Sequence, residues 1–267
     1  MNTKDNIAII GAGNLGVAVA KGLATVIDAS QITLTRRNIN KLDDLRVDGF
    51  TINSDNLEAV KVSKYIILCV QPKQLANVLK EIEPVLDASN HVLISTITGV
   101  SIEVIDSYLN AGFPIIRVMP NTAAAIAESM TCMCGNSLSE EHLPKVEEMF
   151  KSLGETLIIE ERLMKAATVL AASGVAFFLR YIRAATQGGI ELGFEAEEAQ
   201  KIAMQTARGA ASLLVEGSAH PEREIDKVTT PQGCTIAGLN EMEHQGLSSA
   251  LIKGIVASFE KINRIAE

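Results

Sequence analysis

Four apolar residues, Ile7–Ile10, run directly into Gly11-Ala12-Gly13-Asn14-Leu15-Gly16. A helical pattern starts at Asn14 and puts Val17, Ala20, Leu23 and Ala24 on one face. A G-x-G-x-x-G turn that leaves a strand and opens a helix is the setting in which this motif binds a dinucleotide. Gly11 permits the tight turn, Gly13 lets a pyrophosphate approach the backbone, and Gly16 lets the helix lie close to the strand. The helix start at Asn14 and Leu15 offers unpaired N–H groups and the positive end of the helix dipole to the phosphates. A purely structural glycine turn has the same composition; the strand before it and the helix after it favour the dinucleotide.

The next 150 residues alternate β-branched runs with helical patterns. Ile32–Thr35, Phe50–Ile52, Tyr65–Val70, His91–Ser95 and Ile115–Val118 read as strands, with a helical turn at Asp43–Leu45 and a helix at Gln74–Glu81. Tyr65–Val70 is apolar throughout, as a strand covered on both faces is. Strands separated by helices predict βαβ units and a parallel sheet. Beyond residue 160 no strand pattern is found. Met164–Gln187, Ala196–Val215 and Ser248–Ile265 read as long helices, with a shorter one at Thr235–His244. The charged stretch Glu160–Arg162 is the natural boundary. The fold class is therefore α/β: a Rossmann-type parallel-sheet domain over residues 1–161 and an all-helical domain over 162–267.

The end of the second strand selects the nucleotide. An acid there would bind a ribose 2′-hydroxyl, but Leu34-Thr35-Arg36-Arg37 stands instead. A hydroxyl and two guanidiniums suit a 2′-phosphate, because Arg grips phosphate through a planar fork. NADPH is expected, with NADH as the lesser alternative; a solvated arginine pair is the competing reading. Val70-Gln71-Pro72 after the fourth strand, and Thr96 in the Ser95–Gly99 stretch after the fifth, occupy the strand ends where ligands sit in such sheets. Structural turns account for the same residues.

In the helical half, Thr229–Gly233 reads as a turn and the following residues as a helix start. Thr230 and Thr235 carry hydroxyls, and Gly233 and Cys234 offer backbone N–H groups, which suits a carboxylate. A simple helix N-cap fits the composition equally.

Composition narrows the remaining classes. Lys plus Arg number 24 against 32 Asp plus Glu, a formal charge of −8, and aromatic residues make up 4% with no Trp. A nucleic-acid binder needs a basic face and stacking surfaces, so none is expected. Cys69, Cys132, Cys134 and Cys234 have neither disulfide-framework nor zinc spacing, and His91, His142, His220 and His244 form no recognisable triad or metal set. Reduced thiols and a cytoplasmic location are expected. The N-terminus lacks the pattern of a secretory leader. The most apolar stretch, Ala166–Leu179, lies between Lys165 and Arg180 and is shorter than the roughly 20 residues a bilayer needs. It reads as a buried helix, and no membrane partner is expected.

With these segments in view, the chain resembles the pyrroline-5-carboxylate reductases, enzymes of the last step of proline biosynthesis. The resemblance covers nearly the whole length. It rests on GAGNLG, SDNLEAV around Asn56, VQP at Val70–Pro72, RVMPNT at Arg117–Thr122 and, most specifically, HPEREIDKVTTPQGCTIAGL at His220–Leu239. It implies a Rossmann domain joined to a helical dimerisation domain, a homodimer that can assemble further, and NADPH-dependent hydride transfer to C5 of 1-pyrroline-5-carboxylate, giving L-proline. It implies a site between the nicotinamide and the Thr230–Thr235 turn to which partner helices contribute. It implies Asn56 as a cofactor contact and Thr235 as the catalytic hydroxyl near the ring nitrogen. It also implies Glu216, Asp226, Thr230, Gly233 and Cys234 on the substrate. The chain departs from the family pattern in having Gln71 for Lys, Ala123 for Pro, Gln232 for Gly, and Val175 in a stretch that normally carries Gly-Pro. Two rivals are a related NADP-dependent reductase of another imine or a β-hydroxy acid, for which Lys165 is the candidate lysine, and a non-catalytic NADPH-binding regulator.

Overall fold

The computed structural model describes residues 5–110 and 112–265. Its sheet has eight strands: β1 Ile7–Ile10, β2 Ile32–Thr35, β3 Thr51–Asn53, β4 Tyr65–Leu68, β5 Val92–Ser95, β6 Ile115–Met119, β7 Ser129–Gly135 and β8 Gly154–Ile158. They lie in the order β3-β2-β1-β4-β5-β6-β7-β8. β1 to β6 are mutually parallel, while β7 runs antiparallel to β6 and β8 parallel to β7. The first six strands are thus a Rossmann sheet.

The expected parallel sheet is found over β1 to β6, and β7 extends it as an antiparallel strand. The connection from β6 to β7 is a single short 3₁₀ turn, Thr122–Ile126, too short for the crossover that a parallel pair requires. Tyr65–Val70 is also shorter as a strand than its apolar run, since β4 ends at Leu68 and leaves Cys69 and Val70 in the connection.

Alternation along β1 explains the layers. Ile7 and Ile9 face one core with Val19 and Leu23 of α1, Asn14–Leu23. Ala8 and Ile10 face the other with Leu75, Leu79 and Ile82 of α4. Helices α2 Asp43–Val47, α3 Asn56–Lys61, α4 Leu75–Ile82, α5 Ile102–Asp106 and α6 Leu143–Lys151 complete this part. All four residues of β1, β2, β4 and β5 are buried, so apolar side chains leave water on both faces.

The chain divides into two compact units, and the division differs from the one the charges suggest. The described residues up to Ser173 form a unit with those from Phe259 onward, and Gly174–Ser258 form the other. The expected boundary at Glu160–Arg162 falls inside the first unit. There α7, Met164–Ala167, seats the buried Met164 against Met119 and Cys134. The expected helix from Met164 continues through a π-helical segment, Thr168–Ser173, into α8, Gly174–Glu191. Buried Thr168 donates its hydroxyl to the Met164 carbonyl at the start of that segment, a contact of the kind that loosens a regular helix.

The second unit contains α8, α9 Ala196–Gly217, α10 Pro221–Val228, α11 Cys234–His244 and most of α12 Leu247–Ile265. α8 and α9 meet through small residues: a Cβ on Gly189 would lie 2.9 Å from the Ala199 Cβ. Ala199, Ala203 and Thr186 are buried there. Most large apolar residues of the unit are exposed, among them Phe178 at 73%, Leu179, Tyr181, Leu251 and Ile252. The expectation of a buried helix at Ala166–Leu179 is therefore corrected: Leu170, Phe178 and Leu179 stand outside the chain's own core. The helical run Glu161–Glu191 is also long and apolar enough to cross a membrane by length and composition, because the helix continues well past Arg180.

Candidate active site

The first cluster forms where β1 passes into α1. Gly11 has φ +95°, and a side chain there would meet the Cys69 carbonyl at 2.6 Å and Val70 Cγ1 at 2.7 Å. The amides of Gly11 and Ala12 donate to the Thr35 carbonyl at 3.2 and 2.9 Å, which closes the turn against the end of β2. A Cβ on Gly16 would lie 2.8 Å from the Gly11 carbonyl, so α1 starts tight against the turn. Gly13 is different: a Cβ added to it would meet nothing within 4 Å. It is the N-cap of α1, no side chain caps that helix, and no acid lies in its first turn. The open space at Gly13 and the uncapped amides of Asn14 and Leu15 together form a cradle for an anion. This is the test a dinucleotide sets, and the residues present meet it.

Thr35 and Arg36 flank that cradle. Thr35 is buried, and its hydroxyl donates to Asn56 Oδ1 at 2.6 Å. Asn56 Nδ2 in turn donates to both carboxylate oxygens of Glu81, each at 3.1 Å. Arg36 Nη1 donates to the Ala12 carbonyl at 3.0 Å, holding the guanidinium against the glycine turn, while Arg37 is exposed. The structure therefore brings together Gly11, Gly13, Gly16, Thr35, Arg36, Asn56 and Val70. Glu81 carries no sequence signal; only its place on α4 brings it to Asn56.

Gln71 is exposed and precedes a 3₁₀ turn, Pro72–Gln74, in which its amide donates to Gln74 Oε1 at 3.0 Å. Thr96 is buried, and its hydroxyl donates to the Leu68 carbonyl at 3.0 Å, bracing the ends of β4 and β5. Burial pushes the neighbouring Cys69 thiol up to about 11, against a smaller opposing effect from the Thr96 hydroxyl. Cys134 is likewise raised to about 11 by burial, and Cys132 is raised for the same reason. All four cysteines are free, and Cys234 is exposed.

The second cluster lies in the helical unit. Gly233 donates its amide to the Thr230 carbonyl at 3.0 Å and caps α11, with no side-chain cap and no acid in the first turn. The Thr230 hydroxyl leans over this turn into the space a Gly233 side chain would need. Gln232 sits at φ +59°, a left-handed conformation that favours glycine. Cys234 is exposed and Thr235 half-buried. The turn thus presents hydroxyls and helix-start amides with no negative charge of its own. Glu216, in the last turn of α9, and Asp226, on α10, are both exposed. His220 caps α10, its Nδ1 accepting the Glu222 amide at 3.3 Å, which is the structural role its place before Pro221 suggests.

Known proteins resemble the chain along its whole length. The dimerisation domain of pyrroline-5-carboxylate reductase matches residues 161–265. A domain described as NADP oxidoreductase, coenzyme F420-dependent, matches residues 6–99. Pyrroline-5-carboxylate reductase 1 of Dictyostelium discoideum is 47% identical over 98% of this chain, which spans 50% of that protein's length. Pyrroline-5-carboxylate reductase 2 of the same organism is 44% identical, with 99% of this chain and 94% of that protein covered. The solved structure of Plasmodium falciparum pyrroline carboxylate reductase with NADP bound is 23% identical and superposes with a TM-score of 0.91, covering 99% of each chain.

The open space at Gly13 generates a prediction. In Gly13→Ala the new methyl meets no protein atom, so stability without cofactor should change by less than about 1 kcal/mol, the scale of an N-cap substitution. Dinucleotide affinity, measured by fluorescence titration, should fall roughly tenfold or more, because the methyl fills the space the pyrophosphate needs and holds it out of reach of at least one charge-assisted hydrogen bond.

Proposed function

The chain belongs to the pyrroline-5-carboxylate reductase family, and from that membership we propose that it reduces 1-pyrroline-5-carboxylate to L-proline with NADPH. The observation in this chain that carries the reading is the uncapped, uncharged start of α11 behind the Thr230–Gly233 turn, a seat for a carboxylate.

When bound, NADPH supplies a hydride to C5 of the cyclic imine. The protein's own residues bind and orient. Gly11, Gly13, Asn14, Leu15 and Gly16 hold the pyrophosphate through backbone amides and the helix dipole. Thr35, Arg36 and Arg37 hold the 2′-phosphate, with Asn56 fixed behind Thr35 by Glu81. Val70, Gln71, Pro72 and Thr96 line the strand ends beside the turn. NADH fits the same cradle without the phosphate contact. On the substrate side, the amides of Gly233 and Cys234 and the Thr230 hydroxyl hold the carboxylate, and Glu216 and Asp226 contact the substrate away from it. The protonated imine nitrogen takes up the electron pair of the C=N bond as C5 receives the hydride. A seat built from neutral donors leaves that positive charge unquenched, so the carbon stays electrophilic. Thr235 orients the nitrogen through its hydroxyl; its ordinary acidity is too weak to make it the obligatory proton source.

The dimerisation match supports a homo-oligomer. We read the assembly as a homodimer that can associate further, because the helical unit leaves Phe178, Leu179, Leu251 and Ile252 exposed. Covering each such side chain contributes about 1.5–3 kcal/mol. The same surface accounts for the apolar length of Glu161–Glu191 without a membrane: Arg180 and Arg183 stand within the run, where a bilayer would penalise them. A cytoplasmic location accords with this reading.

Three measurements test it. Purified protein should oxidise NADPH with 1-pyrroline-5-carboxylate, and Thr235→Ala should lose about tenfold to a hundredfold in kcat, roughly 1.4–2.7 kcal/mol of transition-state stabilisation. An unchanged rate would remove Thr235 from the mechanism. Arg36→Ala should raise KM for NADPH by the worth of a charged hydrogen bond, about 1.5–3 kcal/mol, and leave NADH nearly unaffected; equal losses would separate Arg36 from the 2′-phosphate. Phe178→Glu should give monomer with poor activity by light scattering, and a fully active 28.5 kDa native monomer would end the dimer reading.

A further inference from the structure

A cavity lies within the sheet unit, lined by none of the residues of the glycine turn. It has a volume of about 440 Å³ and is lined by residues of four segments that meet there, including Ser101, Arg117, Glu161, Lys165 and Asn263. Arg117, in β6, is 4% exposed. Its Nη1 donates to Glu161 Oε1 at 3.1 Å, and the same oxygen accepts the Ile102 amide at 2.7 Å. Arg117 Nη2 is buried and has no hydrogen-bond partner among the described residues. A buried guanidinium nitrogen without an acceptor is costly and rare, and it points to a group that completes it.

The other lining groups indicate what that group is. Lys165 Nζ donates to Asn263 Oδ1 at 3.1 Å, and an ammonium has two further donors. The Ser101 oxygen accepts the Val104 amide at 3.3 Å and keeps its own hydrogen to donate. Arg162, which also lines the cavity, is exposed and already paired with Glu160 at 2.6 Å. Two cations, Arg117 and Lys165, therefore face one anion, Glu161, whose bonded oxygen is already shared between two donors. Among the described residues one positive charge is left over, together with several unused donors. A water molecule would satisfy Nη2 and leave the charge; an apolar ligand would satisfy neither.

We propose that this cavity binds a small oxyanion, held by Arg117 Nη2 and Lys165 Nζ with Ser101 in support. Carboxylate and phosphate oxygens share the required chemistry. Binding ties the loop after β5, strand β6, α7 and the end of α12 to one ligand, so its first effect is to stabilise the sheet unit.

The test uses the full-length protein saturated with NADP⁺, which occupies the phosphate cradle at Gly13. Sodium phosphate and sodium acetate are titrated calorimetrically, with sodium chloride at matched ionic strength as control, and melting is followed in parallel. Saturable binding and a raised Tm with phosphate or acetate, absent with chloride, are expected; the tighter of the two identifies the ligand's head group. Lys165→Gln should keep the anion-free Tm and the NADP⁺ affinity while weakening the oxyanion roughly tenfold or more. Arg117→Lys, which retains a cation beside Glu161, should weaken it as well. No saturable binding to the wild type, binding that Lys165→Gln leaves unchanged, or a phosphate effect that vanishes once NADP⁺ is bound would each overturn the proposal.

Discussion

The Cys69 carbonyl stands where a side chain on Gly11 would have to be, and much of the sheet unit is arranged around that contact. Three parallel strands converge on the turn. β1 delivers Gly11, β2 ends with Thr35 accepting the two turn amides, and β4 ends just before Cys69. Only a residue without Cβ and at ease with positive φ fits between them. Once that fit is made, α1 starts against the turn, Gly16 takes the remaining space, and the uncapped amides of the helix start are fixed in place. The phosphate cradle is a consequence of how closely the backbone packs there, with side chains such as Arg36 added to it.

The helical unit obeys a different constraint. The sheet unit buries whole strands on both faces, whereas residues 174–258 bury little beyond Gly174, Thr186, Ala199 and Ala203. Helices gain most of their stability from packing an apolar face, and here that face is largely left to another surface. Stability of this part is therefore tied to protomer concentration, as in other chains whose core is completed on association.

Much of this was legible in the sequence for reasons that can be named. β1, β4 and β5 are short, mainly apolar runs and β2 alternates Ile and Leu with Thr, all buried because both of their faces are covered, and the long helices α8, α9 and α12 announce themselves by length. β7 was missed because Ser129–Gly135 is built from small residues, sulfur-bearing residues and a single Thr, with none of the branched aliphatics that mark a strand. β8 was missed because it lies at the sheet's edge, where Glu155, Leu157 and Ile158 are exposed and the alternation is lost. The compact units divide at Ser173 and not at the charged stretch Glu160–Arg162, because Glu161 is held by Arg117 and the Ile102 amide. The glycine cradle could be read from spacing. The Arg117 cavity could not, since an orphaned nitrogen is a property of what surrounds it. Gln232 stood out only as a departure from a glycine, and the structure supplies the reason the position favours one: its φ is +59°.

The four thiols end in unequal chemical environments, and this orders their reactivity. Only a thiolate attacks an alkylating agent or a peroxide at an appreciable rate. Burial suppresses that form at Cys69 and Cys134, and to a lesser degree at Cys132, so these sulfurs behave as small apolar side chains. Cys234 alone is exposed, and it follows the capping glycine of α11. Chemical damage to this chain would therefore begin at the proposed carboxylate seat, and loss of activity would precede loss of fold.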